Sequence, residues 1–319
     1  MVLAASQRLD LPRPPSFDLT RAVMPDPAAE AWTIRRLLSW TTDFFAKRGF
    51  ESPRLEAEVL LAHVLDHARY QLYMHIDDVV SDAARSAFRD LVKRRSEGEP
   101  SAYLVGRKEF YALSFKVTPA VLIPRPDSEF LVIEALEALG KMVGRETPRL
   151  ADVGTGSGCL AVAVARRSPQ VRIVAIDRSA EALAVARENA QAHGVADRID
   201  FCEGDLFEPL DPEDRFDLIV SNPPYVATPV WETLEPTIKN FEPRLALDGG
   251  IDGLDVIRRL VDQAAVRLHP GGTLAMEIGS DQGEAVTRLF AGDLWSPPTI
   301  RRDHAGLDRV VTTRRLPIA

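Results

Sequence analysis

From residue 128 onward the chain alternates between two periods. Apolar runs of strand length fall at 149–153, 172–176, 199–203 and 217–220, and stretches with helical apolar spacing fall at 159–166 and 180–193. A further helix is expected over 129–139, with late strands over 273–278 and 308–313. Strand–helix–strand alternation is the signature of a parallel, doubly wound sheet with helices packed on it. The expected fold class is therefore α/β for residues 128–319, preceded by a small helical domain.

That helical domain is read over residues 29–105. Ile34, Leu37, Leu38, Phe44 and Phe45 recur at helical spacing, and Gly49 is a stop signal. Ser52-Pro53 predicts a second start, with Ser as cap and Pro at the first helical position. That helix would carry Leu55, Val59, Leu60 and Leu65. Ser81 opens a third, with Ala84, Phe88, Leu91 and Val92 on one face and Gly98 near its end. Residues 106–127 change character. Phe110, Tyr111, Leu113, Phe115 and Val117 predict short extended pieces forming a hairpin, and Pro124-Arg125-Pro126 then breaks the pattern, so this segment is read as a hinge. Residues 1–28 are rich in Pro, Ser and charge without periodicity and are expected to be a flexible extension.

Composition removes several function classes. A net charge of −8 argues against a large nucleic-acid footprint. Lys93-Arg94-Arg95 and Arg107-Lys108 are read as solvated faces. Two cysteines, Cys159 and Cys202, do not make a disulfide framework, and His63, His67 and His75 lack the spacing of a metal site. No segment approaches the roughly 20 apolar residues of a membrane span, and no apolar signal core opens the chain. The expected setting is the cytoplasm, without metal or membrane, and the default state is a monomer.

Two motifs carry chemistry. Gly154-Thr155-Gly156-Ser157-Gly158 follows a strand and opens a helix, where glycines allow unusual φ and close approach of backbone to ligand. The glycines fall at positions one, three and five, not one, three and six as in the dinucleotide fingerprint. Asp177 ends the second strand, where a carboxylate can accept from both hydroxyls of a ribose. Asp205 and Leu206 close the third strand, as an acceptor for an adenine amino group and a surface for its ring. The second motif is Asn222-Pro223-Pro224-Tyr225, directly after the strand at 217–220. The prolines fix φ and donate no N–H, so the Asn222 side-chain oxygen and the Pro223 carbonyl form a rigid pair of acceptors. Such a pair suits a planar –NH2 group, and with the glycine turn it points to methyl transfer onto a planar nitrogen.

With these residues the chain resembles a Rossmann-like class I S-adenosylmethionine-dependent methyltransferase. More narrowly, it resembles the bacterial protein-(glutamine-N5) methyltransferases that modify peptide chain release factors (PrmC/HemK). Beyond the two motifs, the resemblance is carried by Gly106 to Phe110, Leu122-Ile123-Pro124-Arg125-Pro126, Glu242-Pro243, Leu247-Asp248-Gly249-Gly250, Asp252-Gly253-Leu254, Glu277-Ile278-Gly279 with Gln282, and Gly306 with Asp308-Arg309. The family often has Pro-Glu-Thr-Glu where this chain has Pro126-Asp127-Ser128-Glu129, and some members have an aromatic residue at the position of Leu206.

The resemblance implies S-adenosyl-L-methionine as cofactor and S-adenosyl-L-homocysteine as product. Gly154, Thr155, Gly156, Ser157, Gly158, Asp177, Asp205, Leu206 and Asn222 would contact the cofactor. Asn222, Pro223, Pro224 and Tyr225 would hold the glutamine amide, with Asn222, Pro223 and Tyr225 catalytic. Tyr225 is expected as a wall beside the amide, and Phe110 as another wall or as core. Arg125 would pair with Glu129 or face the cofactor carboxylate, while Glu277 and Arg309 fit fold-stabilising pairs. The implied protein substrate is a release factor, gripped by the helical domain. Alternatives are methylation of a ribosomal-protein glutamine, an adenine-N6 or guanine-N2 nucleic-acid methyltransferase, a dinucleotide oxidoreductase, and a silent binding module.

Overall fold

The structure, a computed structural model, describes residues 31–142 and 144–317. The expected extension at 1–28 lies outside the described residues.

Five helices come first: α1 (Ile34–Ala46), α2 (Pro53–Val64), α3 (Gln71–Met74), α4 (Asp82–Ser96) and α5 (Ser101–Val105). They share a core that includes Leu38, Phe45, Leu60, Leu61 and Leu72. Ser81 caps α4 through its hydroxyl, which accepts from the Ala84 N–H at 3.3 Å. Ser52 occupies the cap position of α2 but its side chain makes no capping bond, so Pro53 alone marks that start. The buried stripe of α2 is also displaced from the expected one. Leu55 is 43% exposed, while Ala57, Leu60 and Leu61 turn inward at the spacing of one helical face.

A hairpin follows, β1 (Arg107–Phe110) and β2 (Leu113–Lys116), with Phe110 opposite Leu113. Its two turn residues, Tyr111 and Ala112, both have positive φ (49° and 58°). This is the twist-matched geometry of a two-residue hairpin turn, here without Gly or Asn.

The α/β part runs α6 (Glu129–Gly140), β3 (Arg149–Val153), α7 (Cys159–Arg167), β4 (Arg172–Asp177), α8 (Ala180–Ala192), β5 (Ile199–Glu203), β6 (Phe216–Ser221), α9 (Pro236–Phe241), α10 (Asp255–Arg267), β7 (Leu268–Glu277), α11 (Gly283–Leu289), β8 (Thr299–Arg302) and β9 (Asp308–Arg314). The sheet order is β5-β4-β3-β6-β7-β9-β8. Strands β3 to β7 are mutually parallel. One apolar cluster joins the sheet to α6 and α7, and a second joins it to α10 and α11. Asn189 on α8 ties down the hairpin, since its Oδ1 accepts from the Lys116 N–H at 2.7 Å and its Nδ2 donates to the Lys116 carbonyl at 3.0 Å.

The sheet is not wholly parallel. Strand β9 runs antiparallel to β7 and β8. The turn at 303–307 reverses the chain between β8 and β9, with Asp303 N–H donating to the Leu307 carbonyl at 2.8 Å. A connection that short can join only antiparallel neighbours. The edge strand β8 reads Thr-Ile-Arg-Arg and has no apolar run from which to predict it.

Strand order reverses at β3, because β4 lies on one side and β6 on the other. The carboxyl ends of β3, β4, β5 and β6 therefore meet at a topological switch point, where open α/β sheets leave a crevice. Among the described residues, no helix is long and apolar enough to cross a membrane.

Candidate active site

A cleft opens at that switch point. Its floor and walls include Gly154, Thr155, Gly156 and Ser157 after β3, Asp177 at the end of β4, Asp205 and Leu206 after β5, and Asn222, Pro223 and Pro224 after β6. One side is closed by the segment after the hairpin, through Val121, Leu122, Pro124 and Arg125. Chemistry from four separate strands and that segment thus converges in one place.

The glycine turn is built for this. Gly154, Gly156 and Gly158 all have positive φ (75°, 56° and 77°). A Cβ on Gly156 would meet nothing within 4 Å, which leaves backbone facing open cleft. Gly158 serves packing instead: a Cβ there would lie 3.0 Å from the Ala186 Cβ, so α7 and α8 touch only because it is glycine. Asp177 braces the turn. Its Oδ2 accepts from the Gly156 N–H at 2.8 Å and its Oδ1 from the Ser179 N–H at 3.0 Å. Each carboxylate oxygen keeps a lone pair after these bonds. Burial raises the Asp177 carboxyl above its ordinary value, and the backbone donors of Ser179, Gly156 and Arg178 oppose the shift.

Asp152 lies one layer deeper and is fully buried. Its Oδ2 accepts from the Thr155 hydroxyl at 2.7 Å and the Ala161 N–H at 3.2 Å, while Oδ1 has no partner among the described residues. Burial pushes this carboxyl up to about 7. Asp205 lines the cleft with one oxygen already engaged, because Arg259 Nη2 donates to its Oδ2 at 2.8 Å. Leu206 holds positive φ (54°) and is buried against the second apolar cluster while lining the cleft.

Asn222 and Pro223 line the cleft, and among the described residues neither the Asn222 Oδ1 nor the Pro223 carbonyl accepts a protein hydrogen bond. The Asn222 amide is held by its other end, with Nδ2 donating to Ser128 Oγ at 3.0 Å. Ser128 Oγ donates to Glu277 Oε2 at 2.6 Å, and the Tyr225 hydroxyl donates to Glu277 Oε1 at 3.0 Å. Tyr225 therefore stands behind the cleft wall with its ring against the second apolar cluster. Burial pushes its hydroxyl up, with the Glu277 charge adding to the effect.

The segment 247–254 buttresses the same backbone. Gly249 N–H donates to the Val226 carbonyl and Val226 N–H to the Leu247 carbonyl, both at 2.8 Å. Gln282 Nε2 clamps the Tyr225 carbonyl at 3.0 Å and the Gly253 carbonyl at 3.3 Å. A Cβ on Gly249 would come within 2.6 Å of the Pro224 carbonyl oxygen, and one on Gly253 within 2.3 Å of the Tyr225 carbonyl oxygen. Glycine at both positions lets the loop lie directly on the Asn-Pro-Pro-Tyr backbone.

Other expected positions resolve differently. Phe110 is not in the cleft. It is 2% exposed and packs with Phe115 and the α6–α7 cluster, because the hairpin register turns it inward at the tip of β1. Arg125 pairs with Glu242 at 2.5 Å and not with Glu129, whose Oε1 instead accepts from the Tyr111 N–H at 2.8 Å. Glu242 also accepts from the Ile123 N–H at 3.3 Å, so the two short segments at 122–126 and 242–243 are wired together across the cleft mouth. Arg309 pairs with Asp303 at 2.9 Å and Asp127 at 3.4 Å. Of the basic run, Arg95 turns inward to Glu56 at 3.0 Å, while Arg94 pairs with Glu99. Among the described residues, no group of three His, Cys, Asp or Glu side chains is placed to hold a metal ion.

The residues present fit a nucleoside with a flexible charged tail: an open glycine cradle, a carboxylate with spare acceptors at a strand end, and an apolar residue beside a second carboxylate. Sheet order, cradle and carboxylates together are those of a Rossmann-like class I methyltransferase, and a family model described as "Methyltransferase small domain" matches residues 128–251. A second, "PrmC N-terminal domain", matches residues 36–106. The chain is 43% identical over 287 residues to the release factor glutamine methyltransferase of Rhodopirellula baltica, covering 89% of this chain and 97% of that one. It is 45% identical over 288 residues to the one from Geobacter sulfurreducens, covering 89% and 98%. The corresponding protein of Bordetella pertussis is 46% identical over 258 residues, covering 81% and 93%. The chain belongs to the release factor glutamine methyltransferase family.

Proposed function

We propose that this protein transfers a methyl group from S-adenosyl-L-methionine to the side-chain N5 of the glutamine in the Gly-Gly-Gln loop of peptide chain release factors. The observation that carries the reading is the pair of unengaged acceptors, Asn222 Oδ1 and the Pro223 carbonyl, on the wall of a cleft that also holds the glycine cradle. When bound, the cofactor supplies an electrophilic methyl group on a sulfonium. Asp177 would accept from the ribose hydroxyls with the lone pairs its backbone bonds leave over, and Gly154 to Gly158 would give the amino-acid tail backbone to lie against. Leu206 would cover one face of the adenine, and Asp205 would accept from its amino group with the oxygen that Arg259 does not hold.

A primary amide nitrogen is a poor nucleophile, because its lone pair is delocalised into the carbonyl. Asn222 Oδ1 and the Pro223 carbonyl accept its two N–H bonds and point the nitrogen along the transfer axis. They also favour the positive charge that develops on nitrogen in the transition state. Holding both reactants in line is the main source of rate. The amide proton becomes acidic as the methyl arrives and leaves to water, so no strong general base is required. Tyr225 supports the wall from behind. The helical part, residues 34–105, is assigned to gripping the protein substrate.

The test is a mass-spectrometric methylation assay with three acceptors: a release factor, the same factor with its loop glutamine changed to alanine, and a ribosomal fraction. A gain of about 14 daltons, one CH2, on the loop glutamine alone is the expected result. A gain on ribosomal protein or RNA instead would overturn the substrate.

A further inference from the structure

The Asn222 side chain poses a problem that its own chemistry does not solve. A carboxamide has an oxygen and an –NH2 of nearly equal size, and only one orientation puts an acceptor in the cleft. The flipped amide would present a donor to a donor, and the clamp proposed above would repel the group it is meant to hold.

The solution lies in hydrogen-bond direction. Glu277 is the last residue of β7, next to β6 in the sheet, and is 1% exposed. As a carboxylate it can only accept. Ser128, in the turn before α6 and 3% exposed, has one hydroxyl proton, and at 2.6 Å from Glu277 Oε2 that proton is committed to the carboxylate. The face of Ser128 Oγ turned to Asn222 therefore has only lone pairs to offer. An amide nitrogen can bond to it and an amide oxygen cannot, which matches the 3.0 Å contact from Nδ2. The second Glu277 oxygen is occupied by the Tyr225 hydroxyl at 3.0 Å, so the carboxylate is held between Tyr225 and Ser128, and reaches Asn222 only through Ser128. Burial raises the Glu277 carboxyl above its ordinary value, while the Ser128 and Tyr225 hydroxyls and the charge of Arg309, itself paired with Asp127 and Asp303, oppose the shift and favour the carboxylate.

We infer that Ser128 and Glu277 are positioning residues that set the orientation of the Asn222 amide, fixing Nδ2 to the wall and Oδ1 to the cleft. Neither touches the reacting atoms; both act through Asn222. The consequence for turnover rests on the reaction proposed above, while the orientation itself does not.

The experiment compares wild type with Ser128→Ala, Ser128→Thr and Glu277→Gln. In Ser128→Ala the amide loses its one directional partner. Turnover at saturating substrate is expected to fall about tenfold, the equivalent of one hydrogen bond, with cofactor affinity close to wild type and a melting temperature lowered by a few degrees, because one oxygen of the buried Glu277 loses its hydroxyl partner. Ser128→Thr keeps the hydroxyl and is expected to recover most of that loss, which a purely steric role would not produce. Glu277→Gln offers one oxygen and one –NH2; a Ser128 hydroxyl that accepts from that –NH2 has its proton free to turn toward Asn222, so the amide orientation is no longer fixed and turnover falls again. Wild-type turnover in Ser128→Ala, or no difference between Ala and Thr, would overturn the inference. A readout free of substrate keeps it separate from the proposed reaction: the Asn222 side-chain –NH2 signals in nitrogen-15 spectra. Slow solvent exchange in wild type that becomes fast in Ser128→Ala supports the lock whatever the acceptor is, and equal exchange in both refutes it.

Discussion

Replacing Gly253 by alanine isolates the contribution of the loop at 247–254 to the site. Gly253 has φ of +76°, and a Cβ there would lie 2.3 Å from the Tyr225 carbonyl oxygen, 2.8 Å from Gln282 Nε2 and 3.2 Å from the Ala227 nitrogen. Gly271 has nearly the same backbone, φ +82°, but a Cβ there meets nothing within 4 Å. An alanine in the left-handed region costs roughly 1–2 kcal/mol, so Gly271→Ala should lose that much stability, a melting shift of several degrees, and Gly253→Ala more because of its clash. Their effects on the site should differ. Carbon and carbonyl oxygen rest at about 3.3–3.6 Å, so in Gly253→Ala the Tyr225 backbone must give way by about 1 Å. A displacement of about 1 Å near the reacting groups can lower turnover by about 10²-fold. Gly271→Ala should keep wild-type turnover. The assay is methyl transfer at saturating cofactor and acceptor, with urea unfolding of the same samples. Turnover within threefold of wild type in Gly253→Ala, or an equal loss in Gly271→Ala, would refute the buttress.

Asn222→Ala should hold cofactor affinity within about tenfold yet lose most turnover; calorimetric titration beside the methylation assay checks this, and unchanged turnover would remove the amide clamp. Asp177→Ala should chiefly weaken cofactor binding, since it strips acceptors from the cleft and leaves the Gly156 and Ser179 N–H groups unpaired; a change confined to acceptor affinity would refute the ribose assignment. Asp152 predicts a pH dependence of stability. Its carboxyl holds a proton up to about 7 in the folded chain against an ordinary 3.8 when unfolded. The folded state thus binds more protons across that window, and the stability this contributes is lost as pH rises toward 7, on the order of a few kcal/mol. Asp152→Asn should flatten the slope and gain on wild type at pH 8 relative to pH 4 in urea melts, whereas parallel curves would exclude a raised carboxyl.

Features that depend on neighbours along the chain were readable in the sequence. The parallel strands β3 to β6 follow from short apolar runs alternating with helical spacing, and the glycine cradle and Asn-Pro-Pro-Tyr carry their backbone chemistry within five consecutive residues or fewer. Backbone conformation and side-chain periodicity are local, so composition and spacing determine them. What escaped is what distant residues decide together. The reversed direction of β9 depends on its turn with a polar edge strand. Of the two places the sequence left open for Phe110, wall or core, hairpin register selects the core. Glu277, read from the sequence as half of a fold-stabilising pair, meets two hydroxyls once the sheet sets β7 beside β6 and the turn before α6 delivers Ser128. Tertiary structure alone brings Ser128, Asn222, Tyr225 and Glu277 within hydrogen-bond distance from separate segments, and only there does a proton have a single place to go. The sequence thus determined which groups the chain carries and which backbone holds them; the fold determined their partners, because hydrogen-bond direction is a property of three-dimensional neighbours.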